Sequence, residues 1–297
     1  MKIFATGLIV RLLIPREISK MPHEHEFNAA ILDAAKAIAA EWPEKGYDIN
    51  SYFTHNLKYG PDCCLRANHP PKTMCVAAVT EIIVKALTRW FEKTGDRTPF
   101  QKLPMKSWQG GTKKDIRGHI FMYDGFGSNG TAHALERFGI GRQLPFAELR
   151  PGDFINFNRA KTGHACVFLA YIDAAGNDLA AYGSSVAGFR YFSSQGSNPG
   201  GFGYRWAFFG NHCPVLPPNK KRDCGVIRSN DPKLLCCGHM ISPDHWPPST
   251  AIQTGVLDSV RRDAGLTETG SALEIEMTRE IAHPSFSRNF DGITTDD

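Results

Sequence analysis

The chain has no apolar run long enough to cross a bilayer, no large excess of charge of one sign, no internal repeat and no Cys-x-x-Cys pair. Each absence removes a class of function. A membrane-spanning helix needs about 20 consecutive apolar residues, and the N-terminal run from Gly7 to Ile14 is short and broken by Arg11. That run follows Met1-Lys2 with the outline of a secretion leader, but no Ala-x-Ala cleavage site comes after it, so neither a leader nor membrane insertion is expected. The net charge is only +4, from 34 Lys and Arg against 30 Asp and Glu. Nucleic-acid binding asks for basic residues gathered on one surface. Lys113-Lys114 and Lys220-Lys221-Arg222 are short and carry no interleaved aromatics, so no nucleic-acid partner is expected.

The eight cysteines lack the paired spacing of a structural zinc site, and no metal or cofactor is expected. Cys213, Cys224, Cys236 and Cys237 cluster late in the chain, where disulfides in an oxidising compartment are the leading reading. Zinc held by these residues with His212 or His239 is the alternative. Hydrophobic residues make up 42% and charged residues 22% of the 297, the balance of a globular chain with one sizeable domain plus extensions.

What the sequence does contain is a cysteine at a helix start. Val76, Val79, Ile82, Ile83, Leu87, Trp90 and Phe91 follow Cys75 at the spacing of one buried helix face. Pro70, Pro71 and Thr73, an expected N-cap, mark where that helix begins. Unpaired backbone N–H groups in a first turn favour the thiolate, which is the nucleophilic form. Cys63 and Cys64 are rivals, but Pro70 and Pro71 stop any long helix from following them. A second helix is predicted over Phe27 to Trp42, with Phe27, Ile31, Ala35, Ile38, Ala39 and Trp42 on one face and Pro43 ending it.

Downstream, Leu149-Arg150-Pro151-Gly152-Asp153-Phe154 reads as a turn feeding a strand, and Gly163-His164-Ala165-Cys166-Val167 opens another. A thiol and a histidine distant in sequence but adjacent in space form a nucleophile and its base. His164 is chosen over His119 and His133, and Cys166 is read as core packing. Further strands are expected at 179–184, 188–193 and 204–209, with another near 120–123 in an otherwise irregular stretch.

Together, the cysteine opening a helix, the Pro-Gly-Asp turn and the Gly-His strand resemble the NlpC-type cell-wall peptidases and their CHAP amidase relatives. The match runs from about Tyr59 to about Phe209. It implies an α+β, papain-like fold, with a nucleophile helix packed on an antiparallel sheet. The segments Tyr182-Gly183-Ser184-Ser185 and Ser194-Gln195-Gly196 are further similar to amidase effectors of the type VI secretion system. The resemblance implies Cys75 as nucleophile, His164 as base and Ser184 as the group orienting it. Tyr59, Tyr182 and Gln195 are then expected at the oxyanion or the substrate. A peptidoglycan stem peptide is the implied substrate, an immunity protein the implied partner, and the periplasm or cell wall the implied place of action after export from the cytoplasm.

Where typical members read Asp-Cys-Ser-Gly, this chain reads Met74-Cys75-Val76-Ala77. That departure keeps alternatives open: an inactive binding module, or a cytosolic peptidase, deamidase or acyltransferase on the same fold. The expected organisation is a helical extension over 1–50, a catalytic domain over 51–212 and a Cys/Pro-rich extension over 213–297. A short helix at 257–264 and disorder from 285 are expected within that last part.

Overall fold

Cys75–Thr94 folds into the 20-residue helix α2, and everything else is arranged around it. Its start is capped by Met74, not by Thr73: the Met74 sulfur accepts the Ala77 N–H at 3.2 Å, while the Thr73 hydroxyl donates to the Tyr52 carbonyl. Gly95, at φ 72°, ends the helix and returns its N–H to the Phe91 carbonyl, a left-handed position that glycine takes without a Cβ clash. The computed structural model describes residues 27–248, apart from residues 62 and 161 and the segments 109–113, 123–125 and 197–199. The expectations at 257–264 and beyond 285 lie outside the described residues.

Burial on α2 is wider than one face. Every residue from Cys75 to Val84 is buried, because α1 (Asn28–Glu41) covers one side and a sheet covers another. Helix α1 presents Ile31, Ala34, Ala35 and Ile38 to the core. Its first turn is also anchored: the Phe27 N–H reaches the Met240 carbonyl at 2.9 Å, and the Asn28 amide donates to Asp153 Oδ1 at 2.7 Å. The described part of the segment expected as a helical extension, residues 27–50, therefore packs into the core.

The class is α+β. A two-stranded pair, β1 (Leu57–Tyr59) with β2 (Cys63–Leu65), lies beside α2. Helices α3 (Thr98–Lys102), α4 (Ile116–Ile120) and α5 (Thr131–Arg137) follow. Helix α4 ends where a strand was expected near 120–123. The main sheet holds β3 (Gly141–Gln143), β4 (Phe154–Asn158), β5 (Gly163–Ile172), β6 (Asp178–Leu179), β7 (Gly188–Gln195), β8 (Gly201–Phe209), β9 (Arg222–Val226) and β10 (Leu235–Met240). Its order is β3-β10-β4-β5-β7-β8-β9, with the short β6 pairing β5. It is mixed, because β8 and β9 run parallel while the other pairs are antiparallel.

Alternation along the strands gives the sheet two buried faces. Phe154, Ala165, Val167, Phe192 and Phe202 face the core of α1 and α2. Ile155, Phe157, Cys166, Phe168, Phe189 and Tyr191 form a second core with Val226, Leu235 and Cys237. The Ile227 N–H donates to the Asn158 carbonyl at 2.8 Å, so the chain leaving β9 returns to the end of β4 and the sheet curls around this second core.

The described part of the last segment, residues 213–248, is thus no appendage. It supplies β9 and the inner strand β10, which pairs β4 on one side and β3 on the other. Cys213 and Cys224 form a disulfide, and Cys236 and Cys237 are buried free thiols. Zinc held by the four together is excluded by that bridge.

One buried acid gives the fold a pH dependence. Glu81, fully buried on α2, accepts the Thr54 hydroxyl at 2.6 Å and the Thr54 N–H at 3.1 Å. Burial outweighs these bonds and pushes its carboxyl from 4.5 up to about 7. The folded state therefore holds a proton that the unfolded chain releases, so stability falls as pH rises from about 4.5 to about 7, by on the order of 3 kcal/mol. Glu81→Gln imitates the protonated form and is expected to flatten that fall, raising the melting temperature at pH 8 more than at pH 4. Equal shifts at both pH values in thermal melts would contradict this account.

Candidate functional site

The six residues singled out from the sequence come to rest in four places. Cys75 is fully buried in the core between α2 and the sheet. His164 and Gln195 lie together. Tyr59 is on β1, where its hydroxyl donates to the Leu103 carbonyl at 2.6 Å and its ring packs on Phe100 and Trp108. The Thr88 hydroxyl bonds the neighbouring Lys58 carbonyl, so β1 lies near the far half of α2. At 1.5 Å per residue that is about 20 Å from Cys75 along the helix axis. Tyr59 is a structural aromatic, not an oxyanion donor.

Ser184 and Tyr182 are misplaced for a different reason. The chain after β5 makes only the two-residue β6 and a turn, so residues 182–187 stay near the Ile172 end of β5. His164 is at the other end, about 26 Å away at strand rise. Ser184 is exposed and does not orient His164. The half-exposed Tyr182 packs on Phe146 and Tyr171, and its hydroxyl meets Arg228.

The partner of His164 is Gln195. Strand β7 runs back antiparallel from Gly188, opposite Ile172, and brings Gln195 beside the start of β5. Gln195 Nε2 sits 2.8 Å from His164 Nε2 and donates to the Tyr191 hydroxyl at 3.0 Å. Tyr191 donates to Asp223 Oδ2 at 2.6 Å. Asp223 is gripped by Arg159 through two bonds, 2.7 Å from Nε and 2.6 Å from Nη2. His164 packs on the Phe157 and Tyr191 rings and is 1% exposed. Burial, then the nearby Arg159 and Arg205 charges, push its imidazole well below the usual histidine range, so the ring is neutral at pH 7. Burial and the Asp223 charge push Tyr191 the other way, so it keeps its proton.

His164 shares a face with Cys166, whereas α2 and Cys75 pack on the face of Ala165 and Val167. The expected Cys75–His164 contact is therefore not made in this conformation. The two residues do converge on one end of the sheet. The ladder between β5 and β7 stops at Val167–Phe192, leaving residues 164–166, paired with β4, and 193–195, paired with β8, as a fork whose prongs do not pair with each other. Side chains bridge it: Ser193 Oγ donates to the Ala165 carbonyl at 2.6 Å, and Ser194 Oγ donates to the Thr73 carbonyl at 3.1 Å. Thr73 is two residues before Cys75 and Ser194 one before Gln195, so the start of α2 is tied to the prong that holds the imidazole.

His119 and His133 belong to another cluster. Arg137 donates to His133 Nε2 at 3.2 Å and lies 3.3 Å from His119 Nδ1, against the short α5. Tyr191, Asp223 and Arg159 were missed by the sequence reading. Gln195 and Tyr191 share a parity on β7 that a register would have exposed, but Asp223 lies beyond the expected domain boundary. Compared with known proteins, the chain matches no family model, no curated protein and no solved structure. Among the described residues, no helix is long and apolar enough to cross a membrane.

Proposed function

We propose that the protein is a papain-like thiol hydrolase that cleaves an amide bond, with Cys75 as nucleophile. The observation that carries this reading is the tie at the fork: a cysteine opening a 20-residue helix is held, through Thr73 and Ser194, at the sheet end that carries the His164–Gln195 pair. Backbone N–H groups of the first turn favour the thiolate and lie where an oxyanion would form. The thiolate, its proton released to solvent, would add to an amide carbonyl; the amine would leave with a proton taken from water, and a second water would hydrolyse the thioester to the acid and return the thiol. The resemblance to NlpC-type peptidases supplies the substrate class, a peptidoglycan stem peptide cut near diaminopimelate. It also supplies the setting, the periplasm or cell wall after export, with an immunity protein as partner of an effector. The reading demands that the cover over Cys75 open and that the imidazole act through the fork.

A second reading has its own support. Two fully buried groups on opposite faces of a sheet suit a binding module that keeps the scaffold without the chemistry. Incubating the protein with purified sacculi and weighing the released muropeptides separates the two. Soluble peptide fragments are expected from the hydrolase, together with selective alkylation of Cys75 by iodoacetamide near neutral pH. No release, with Cys75 no faster than the other buried thiols, would favour the binding module.

A further inference from the structure

The position of the proton on His164 follows from the hydrogen-bond chain behind it. Arg159 holds Asp223 with two parallel bonds, the geometry of a guanidinium on an ionised carboxylate. An ionised carboxylate only accepts, so the Tyr191 hydroxyl at 2.6 Å must donate to it. That uses the one proton Tyr191 has. The Gln195 atom 3.0 Å from the Tyr191 oxygen must then be the amide nitrogen, not the carbonyl oxygen. The same nitrogen is 2.8 Å from His164 Nε2, so its second proton points there and Nε2 contributes a lone pair. A flipped amide would set its oxygen against Tyr191 and take the hydroxyl proton away from Asp223, leaving two acceptors 2.6 Å apart. The assignment follows from the network as a whole.

We propose that Arg159, Asp223, Tyr191 and Gln195 form a one-way hydrogen-bond chain that fixes His164 as the neutral tautomer protonated on Nδ1, so that the imidazole offers a hydrogen-bond donor at the fork instead of a free base. His164 Nδ1 is buried and has no hydrogen-bond partner among the described residues, which leaves that N–H for an acceptor not yet present. Gln195 and Tyr191 are positioning residues acting through His164. The proton placement stands without the hydrolase reading. Its use rests on that reading: once the cover over Cys75 opens at the fork, the N–H would bond the thiolate or the developing oxyanion, and the helix start would favour the thiolate, its proton going to solvent and not to the ring.

Long-range proton–nitrogen correlation spectra of the ¹⁵N-labelled protein read the tautomer directly, with the His164 signals assigned by their loss in His164→Asn. Expected between pH 6 and 8 are a protonated Nδ1 and an unprotonated Nε2. A proton on Nε2, or rapid exchange between the two forms, would overturn the proposal. In Tyr191→Phe the amide is free to turn over, and the proton is expected to move wholly or partly to Nε2. An unchanged spectrum in that folded variant would overturn the chain. Should Tyr191→Phe not fold, Gln195→Leu tests the same link, and a single fixed Nδ1–H form there would count against it. If the sacculus assay shows turnover, His164→Asn, which keeps a donor near the Nδ1 position, should retain at least about tenfold more kcat than His164→Leu. Equal loss in both would sink the donor role while leaving the hydrolase reading in place.

Discussion

A chain ended after Pro218 is expected to be insoluble or unfolded, with no cooperative melt. The cut removes β9, β10 and Cys224, the partner of Cys213. Strand β10 lies inside the sheet, so its loss exposes the ladder edges of both β3 and β4. It also removes the buried side chains of Val226, Leu235, Met240 and Trp246. At about 1.5–3 kcal/mol for each large apolar side chain, these four alone approach the 5–15 kcal/mol that typically separates folded from unfolded domains. Asp223 leaves with them, stranding Arg159 and Tyr191 in the second core. Far-UV circular dichroism and a thermal melt of the truncated chain, beside the full chain, measure this. A soluble product that melts cooperatively would restore the view of this segment as an appendage.

That view arose because β9 and β10 carry no readable pattern. Arg222–Val226 and Leu235–Met240 are short, and β10 is buried on both faces, so the period-two alternation that marks a half-exposed strand is absent. Gly238 weakens the signal further. It is required because a Cβ there would meet the Arg142 carbonyl oxygen at 2.2 Å, yet in sequence a glycine reads as a break. By contrast α1, α2, β4, β5 and β8 were legible, because each repeats apolar residues at its own period or is announced by a turn such as Pro151-Gly152.

The candidate residues were legible in their places on the elements and not in their geometry. Cys75 does open α2, and His164 does open β5 within one residue. Parity was the missing step. Cys166 was read as inward packing, and His164, two residues earlier, must share its face. Which face α2 covers was decided by Ala165 and Val167, small and branched residues suited to lie under a helix. From the sequence, the orienting group is expected on the segment that follows β5. Because β6 is only two residues long, β7 pairs β5 instead, and it is Gln195, not Ser184, that meets His164.

The largest effect on activity is expected at the thiol. Cys75→Ala should lower muropeptide release at least about 10⁴-fold, on the scale by which removal of a nucleophile acts in hydrolases of this logic. The fold should survive, because the change removes one sulfur from a helix start whose cap is the Met74 side chain, not the cysteine. Cys166→Ala, Cys236→Ala and Cys237→Ala are the controls. Burial raises all three of those thiols, Cys236 to about 12, so they remain protonated and unreactive at neutral pH. Their variants should lose stability without losing turnover per folded molecule. The contrast is informative because Cys75 is as buried as they are, and its place at the helix start and beside the fork sets it apart. Undiminished turnover in folded Cys75→Ala would remove this thiol from the chemistry and place the nucleophile elsewhere, with Cys63 and Cys64 the next to replace.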